Sequence, residues 1–122
     1  MITIDDMREM LDEIAGELPA DFFRALNGGI VLLDTCKTHP QGGGLYVMGE
    51  YHNRHDMGRQ IFIYYGSFMR VYANAPEHAL RKELRKTLLH EFTHHLESLA
   101  GERGLEIRDQ VWLERWKEGR GS

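Results

Sequence analysis

His90-Glu91-Phe92-Thr93-His94 is an H-E-x-x-H pentapeptide. Two imidazoles four residues apart share one face of a helix, because four residues overshoot a full turn by roughly 40°. So spaced, both rings can converge on one tetrahedral zinc ion. The glutamate after the first histidine then sits beside the ion, where it can take a proton from the metal-activated water. Each of these positions has a chemical task, and all of them require the segment to be helical.

The surrounding residues meet that requirement. On a wheel of ~100° per residue, Leu84, Leu88, Phe92, Leu96 and Leu99 form one apolar stripe. His90, His94 and Glu97 form a second stripe roughly opposite. Glu91 falls between the two, about 60° from His94 and against the core edge, with His95 on the same flank. A carboxylate so placed is partly desolvated, which raises its pKa toward that of a general base. Pro76 suits the first turn of this helix, expected over about 76–100 and closed by Gly101 and Gly104. Arg81, Lys82, Arg85 and Lys86, interleaved with Glu77 and Glu83, read as its salt-bridged solvated face.

Upstream, Thr3 and Asp6 read as a capping box for a first helix carrying Ile4, Met7, Leu11, Ile14 and Leu18 at helical spacing, stopped by Pro19. A short amphipathic turn through Phe22, Phe23 and Leu26 ends at Asn27-Gly28-Gly29. Strands are expected at 30–33, 45–48 and 60–65, with a flexible glycine loop at 35–44 and a polar turn at 52–56. Residues 67–72 read as a short helix. Asp109 caps a last amphipathic helix bearing Val111, Trp112, Leu113 and Trp116. The fold class is α+β, helices on a small sheet of three to four strands, with the H-E-x-x-H on the longest helix.

Composition bounds the partners. Of 122 residues, 42% are hydrophobic and 28% charged, an ordinary globular balance. A net charge of −4 offers no electrostatic basis for binding nucleic acid or an anionic membrane. One cysteine, Cys36, excludes an internal disulfide framework and fits a reducing compartment, and a lone thiol usually fills a small core space. The acidic N-terminus lacks the features of a signal peptide, and no run reaches the ~18 apolar residues of a membrane span. A cytoplasmic protein is expected.

The chain resembles the small bacterial zincin-like metallopeptidases, a family of minimal zincins with the signature H-E-x-x-H-x-x-G-x-x-D, commonly with a second histidine after the motif. His90-Glu91-Phe92-Thr93-His94-His95 carries the likeness, with Asn27-Gly28-Gly29-Ile30-Val31 and Ile61-Phe62-Ile63-Tyr64-Tyr65-Gly66. The resemblance implies one zincin-like domain over 1–118, followed by a frayed tail at 119–122. It implies Zn2+ as cofactor, His90 and His94 as metal ligands, and Glu91 as general base. Two positions depart from the signature: Glu97 stands where the family has Gly, and Ala100 where it has Asp. The third ligand is therefore out of register. Asp109 is favoured, because a family-type Asp also precedes the final helix; Glu97 and then Glu102 are the alternatives.

The expected activity is zinc-dependent hydrolysis of peptide bonds, with a peptide or protein as substrate. The alternative is a non-catalytic or regulatory metal-binding protein on the same scaffold, and a third reading is an interaction module without metal. A tyrosine or His95 is a candidate oxyanion donor. Strand 61–65, if it lies at a sheet edge, offers an extended peptide a pairing partner. His52, His55 and Asp56 read as a polar turn rather than a second metal site.

Overall fold

Thr3 starts the first helix as its capping chemistry requires. In the computed structural model, which describes residues 1–54, 56 and 58–103 with side chains as far as Gly101, Thr3 Oγ1 accepts from the Asp6 N–H at 3.1 Å. The Asp6 carboxylate accepts in turn from the Thr3 N–H at 2.9 Å, completing a capping box with the shorter acid. Helix α1 (Ile4–Glu17) buries Met7, Met10, Leu11 and Ile14, and a 3₁₀ turn at Ala20–Phe23 follows Pro19.

Five strands and two helices complete the described chain: β1 (Gly29–Leu33), β2 (Lys37–Thr38), β3 (Tyr46–Val47), β4 (Gly49–Arg54), β5 (Gly58–Tyr64), α2 (Tyr65–Tyr72) and α3 (Glu77–Arg103). β1, β5 and β4 make one sheet in that order, with β1 parallel and β4 antiparallel to the central β5. β2 and β3 pair as a small separate hairpin. Ile61 and Ile63 of β5 are fully buried with the apolar faces of α1 and α3. The architecture is α+β, as the sequence predicts.

α3 runs 27 residues, and its whole leucine stripe is buried. Leu84, Leu88 and Phe92 expose nothing, and each such side chain contributes about 1.5–3 kcal/mol relative to leaving it in water. Arg81 and Arg85 do not merely face solvent: each reaches across to α1 and meets Glu13 and Glu17 at 2.6 Å. Among the described residues no helix is long and apolar enough to cross a membrane.

Four expectations need correction. α3 continues through Gly101 to Arg103, because burial of Leu96 and Leu99 outweighs glycine's cost in a helix interior. Residues 52–54 are strand, not turn, since His52, Asn53 and Arg54 pair with Gln60, Arg59 and Gly58 of β5. β5 is the central strand among the described residues, so strand 61–65 is not an edge, and β4 lies on its α3 side. Cys36 is exposed rather than a core filler. The glycine loop also holds β2, with Gly42, Gly43 and Gly44 at positive φ in the hairpin connection. His55, the expected last helix with Asp109, the side chain of Glu102 and the tail at 119–122 lie outside the described residues.

Candidate functional site

The ladder of β4 fixes which way its backbone groups turn. Tyr64 donates its N–H to the Met48 carbonyl at 2.9 Å, so in antiparallel alternation Glu50 and His52 also turn their backbone groups inward to β5. Gly49, Tyr51 and Asn53 therefore turn theirs outward. Gly28 donates to the Arg59 carbonyl at 2.8 Å on the β1 side, the direction this alternation requires.

Side chains of the same three residues face α3. A Cβ at Gly49 would lie 2.9 Å from Thr87 Cγ2 and 3.3 Å from Glu91 Cγ, so strand and helix approach too closely there for any larger residue. Tyr51 reaches His95, its hydroxyl oxygen 2.9 Å from Nδ1. Asn53 donates to Ser98 Oγ at 3.2 Å. Between the two elements opens a cleft of about 670 Å³, bounded by Gly49, Glu50 and Tyr51 on the strand and by His90, Glu91, His94, Glu97 and Ser98 on the helix.

The motif histidines are exposed to this cleft and bring the same nitrogen close together: His90 Nε2 and His94 Nε2 are 3.1 Å apart. Two ligands of one tetrahedral zinc, each at ~2.05 Å, stand roughly 3.3 Å apart, so the pair is spaced as a zinc ion requires. Glu97 is exposed, and its carboxylate lies 3.9 Å from Nδ1 of His94, on the opposite side of that ring. Among the described residues no group of three or more His, Cys, Asp or Glu side chains is arranged to hold a metal. Helix α3 thus brings together His90, Glu91, His94 and Glu97, of which the two histidines hold their Nε2 atoms 3.1 Å apart.

Glu91 is buried, as its wheel position predicts. Burial pushes its carboxyl up to about 7, and the negative charge of Glu50 adds to the rise. Glu50 behaves oppositely. Burial alone would raise it, but Lys37 Nζ at 2.6 Å, Tyr64 Oη at 2.5 Å and His52 Nε2 at 3.5 Å converge on its Oε1 and hold it below the ordinary carboxylate range. One cleft therefore contains an ionised carboxylate and a second poised to gain or lose a proton near neutrality, the separation that acid–base chemistry uses.

His95 is withdrawn from the cleft. It is fully buried, with Nε2 2.8 Å from the Arg24 carbonyl oxygen. A carbonyl only accepts, so Nε2 carries the proton and Nδ1 accepts from the Tyr51 hydroxyl. Burial holds the ring below the usual imidazole range. With both nitrogens engaged, it is no oxyanion donor.

Glu50, Tyr51 and Lys37 went unnoticed in the sequence. The only available signal, a tyrosine alternating with polar residues over 49–54, is weak in an edge strand whose facing positions hold glycine and asparagine rather than apolar residues.

A family model described as zincin-like metallopeptidase matches residues 36–111, a span that takes in every residue of the cleft as well as Asp109. Among solved structures, a conserved hypothetical protein from Thermus thermophilus is 35% identical, covering 82% of this chain and 99% of its own, with a TM-score of 0.75. No curated protein matches the chain.

Proposed function

Because the chain belongs to the zincin-like metallopeptidase family, we propose that it is a zinc-dependent peptidase in which His90 and His94 hold the metal and Glu91 is the general base. The observation that carries this reading is the pair of Nε2 atoms 3.1 Å apart beside a buried carboxyl at about 7. The donor set fits zinc, since two imidazoles a helical turn apart already hold their Nε2 atoms at about the separation of two ligands of one ion. Bound there, zinc supplies a Lewis acid that polarises a carbonyl and acidifies water.

The chain's own residues do the rest. A peptide is laid along the cleft between β4 and α3, past His90, Glu91 and His94. Burial keeps the Glu91 carboxylate poorly solvated, which makes it a strong acceptor for the proton of the attacking water. The same carboxyl then delivers that proton to the leaving amine. Glu50, fixed by Lys37 and Tyr64, stays ionised and opposes loss of the Glu91 proton until the amine takes it.

We assign the third protein ligand to Asp109. Glu97 sits at the Nδ1 side of His94, where a carboxylate orients a metal-binding ring rather than meeting the metal. The lone Cys36 supports a reducing, cytoplasmic setting.

Glu91→Gln tests the reading. The zinc-loaded variant is expected to lose about 10²–10⁴-fold in kcat on an unstructured peptide while retaining wild-type zinc stoichiometry. Authentic turnover surviving the substitution overturns the base assignment. The departures at Glu97 and Ala100 favour a second reading, a metal-binding protein without turnover, and a fully zinc-loaded wild type that cleaves no peptide would establish it.

A further inference from the structure

His95 takes no part in the chemistry above, yet it ties three separate stretches of chain together. Its ring spans from Tyr51, in the strand that walls the cleft, to the carbonyl of Arg24 in the loop after the 3₁₀ turn. Phe92 stands against the ring at a centroid distance of 6.4 Å, and Tyr51 at 5.3 Å. Ala25, next to Arg24, holds φ of +61°, a left-handed backbone that is costly for a residue with a Cβ. The loop adopts it at the point where the carbonyl meets the imidazole. A leucine or phenylalanine would fill the same space but link nothing. Imidazole accepts at one end of a rigid ring and donates at the other.

We propose that His95 is a positioning residue: it clamps β4 to α3 so that the strand wall of the cleft stands at one register and distance from His90 and His94. Tyr51 is the middle of three rungs between these elements. Gly49 against Thr87 and Glu91 is the first, and Asn53 with Ser98 the third. The middle rung ends on the fully buried His95, one residue from His94. The catalytic half of the inference rests on the peptidase reading, whereas the clamp itself rests on the two hydrogen bonds. A peptide lying in the cleft would still bind if the clamp loosened, but its scissile carbonyl would be misplaced, and small misplacements cost rate rather than affinity.

Three full-length variants separate positioning from simple support. Tyr51→Phe removes only the hydroxyl. His95→Asn keeps an acceptor near the Nδ1 position, and His95→Gln keeps a donor near the Nε2 position. Zinc content, melting temperature, kcat and KM are measured on the loaded proteins, and amide hydrogen exchange on the metal-free ones. Tyr51→Phe is expected to lower kcat by roughly tenfold or more with KM within about twofold and zinc content intact. The inward amides of Glu50 and His52 should exchange faster, with those of Leu88 and Phe92 unchanged. His95→Asn should retain more kcat than His95→Gln at comparable melting temperature.

Unchanged exchange at Glu50 and His52 overturns the clamp. A loss of kcat that merely follows zinc content or melting temperature through the three variants, or faster exchange with wild-type kcat, overturns the positioning role. If the zinc-loaded wild type hydrolyses no peptide, the peptidase reading fails separately, and the exchange measurement alone decides whether His95 holds the strand.

Discussion

Glu91 derives its chemistry from the rim of the core. In the metal-free protein its carboxyl is raised from 4.5 to about 7, chiefly by burial and then by Glu50. Between those pH values the folded state keeps a proton that the unfolded chain has lost, so stability falls as pH rises through this window. Above about 7 the full cost of burying the charge is present. Glu91→Gln removes it. With chelator present, the variant should exceed wild type in stability at pH 8 by an amount on the order of 2 kcal/mol, and the two should converge near pH 4.5. Urea denaturation at the two pH values checks this; equal stability at pH 8 would show that the carboxyl is not desolvated. The wheel alone placed this residue, because burial of a helical position follows directly from the stripes on either side of it. Glu50 had no such signal. Its depressed pKa comes from Lys37, Tyr64 and His52, which are 13, 14 and 2 residues away and meet only in the folded sheet.

At the scale of elements, the site is one face of α3 set against one edge strand. Their separation is set where Gly49 meets Thr87 and Glu91. Gly49→Ala would put a methyl 2.9 Å from Thr87 Cγ2 and 3.2 Å from the Phe62 carbonyl. Such overpacking is expected to cost about 1–3 kcal/mol and to push β4 off the helix, with a matching loss of kcat. Thr87→Ala should restore part of both in the double variant, because it removes the nearer obstruction. A double variant whose losses simply add would show that the two residues do not compete for that space. The helix was legible from its periodicity, including its cap-side start and its buried stripe. β4 was not, because residues 49–54 place glycine, tyrosine and asparagine toward α3, where a core strand would place apolar side chains. An edge strand that serves a cleft is selected for what it leaves open, and that erases the alternation by which strands are recognised.

For the molecule as a whole, the face that carries His90 and His94 and the core share one helix. Leu84 and Leu88 anchor α3 against α1, and Arg81 and Arg85 bind it to Glu13 and Glu17. An ion that binds only where His90 and His94 converge should therefore stabilise the entire fold. At free zinc near 1,000 times Kd the gain is about 4 kcal/mol, which for a domain of this size is roughly 10–20 °C in Tm. Calorimetry with zinc and then chelator measures it. His90→Ala is expected to abolish the shift, Asp109→Asn to reduce it strongly and Glu97→Gln to leave most of it. An unshifted wild-type Tm at saturating zinc would mean that the two histidines hold no ion in the native state. A full shift in Asp109→Asn would return the third position to Glu97 or Glu102.

The sequence by itself determined whatever depends on local geometry: the capped first helix, the long amphipathic α3, the shared face of His90 and His94, and the burial of Glu91. These follow from fixed turn and rise, which relate residues three and four apart without reference to the rest of the chain. Tertiary structure alone decided that β5 is central and β4 the edge, that Glu50 stands charged beside Glu91, and that His95 turns inward to Tyr51 and Arg24. Those relations join residues far apart in the chain, and only packing, which no local pattern encodes, brings them into contact.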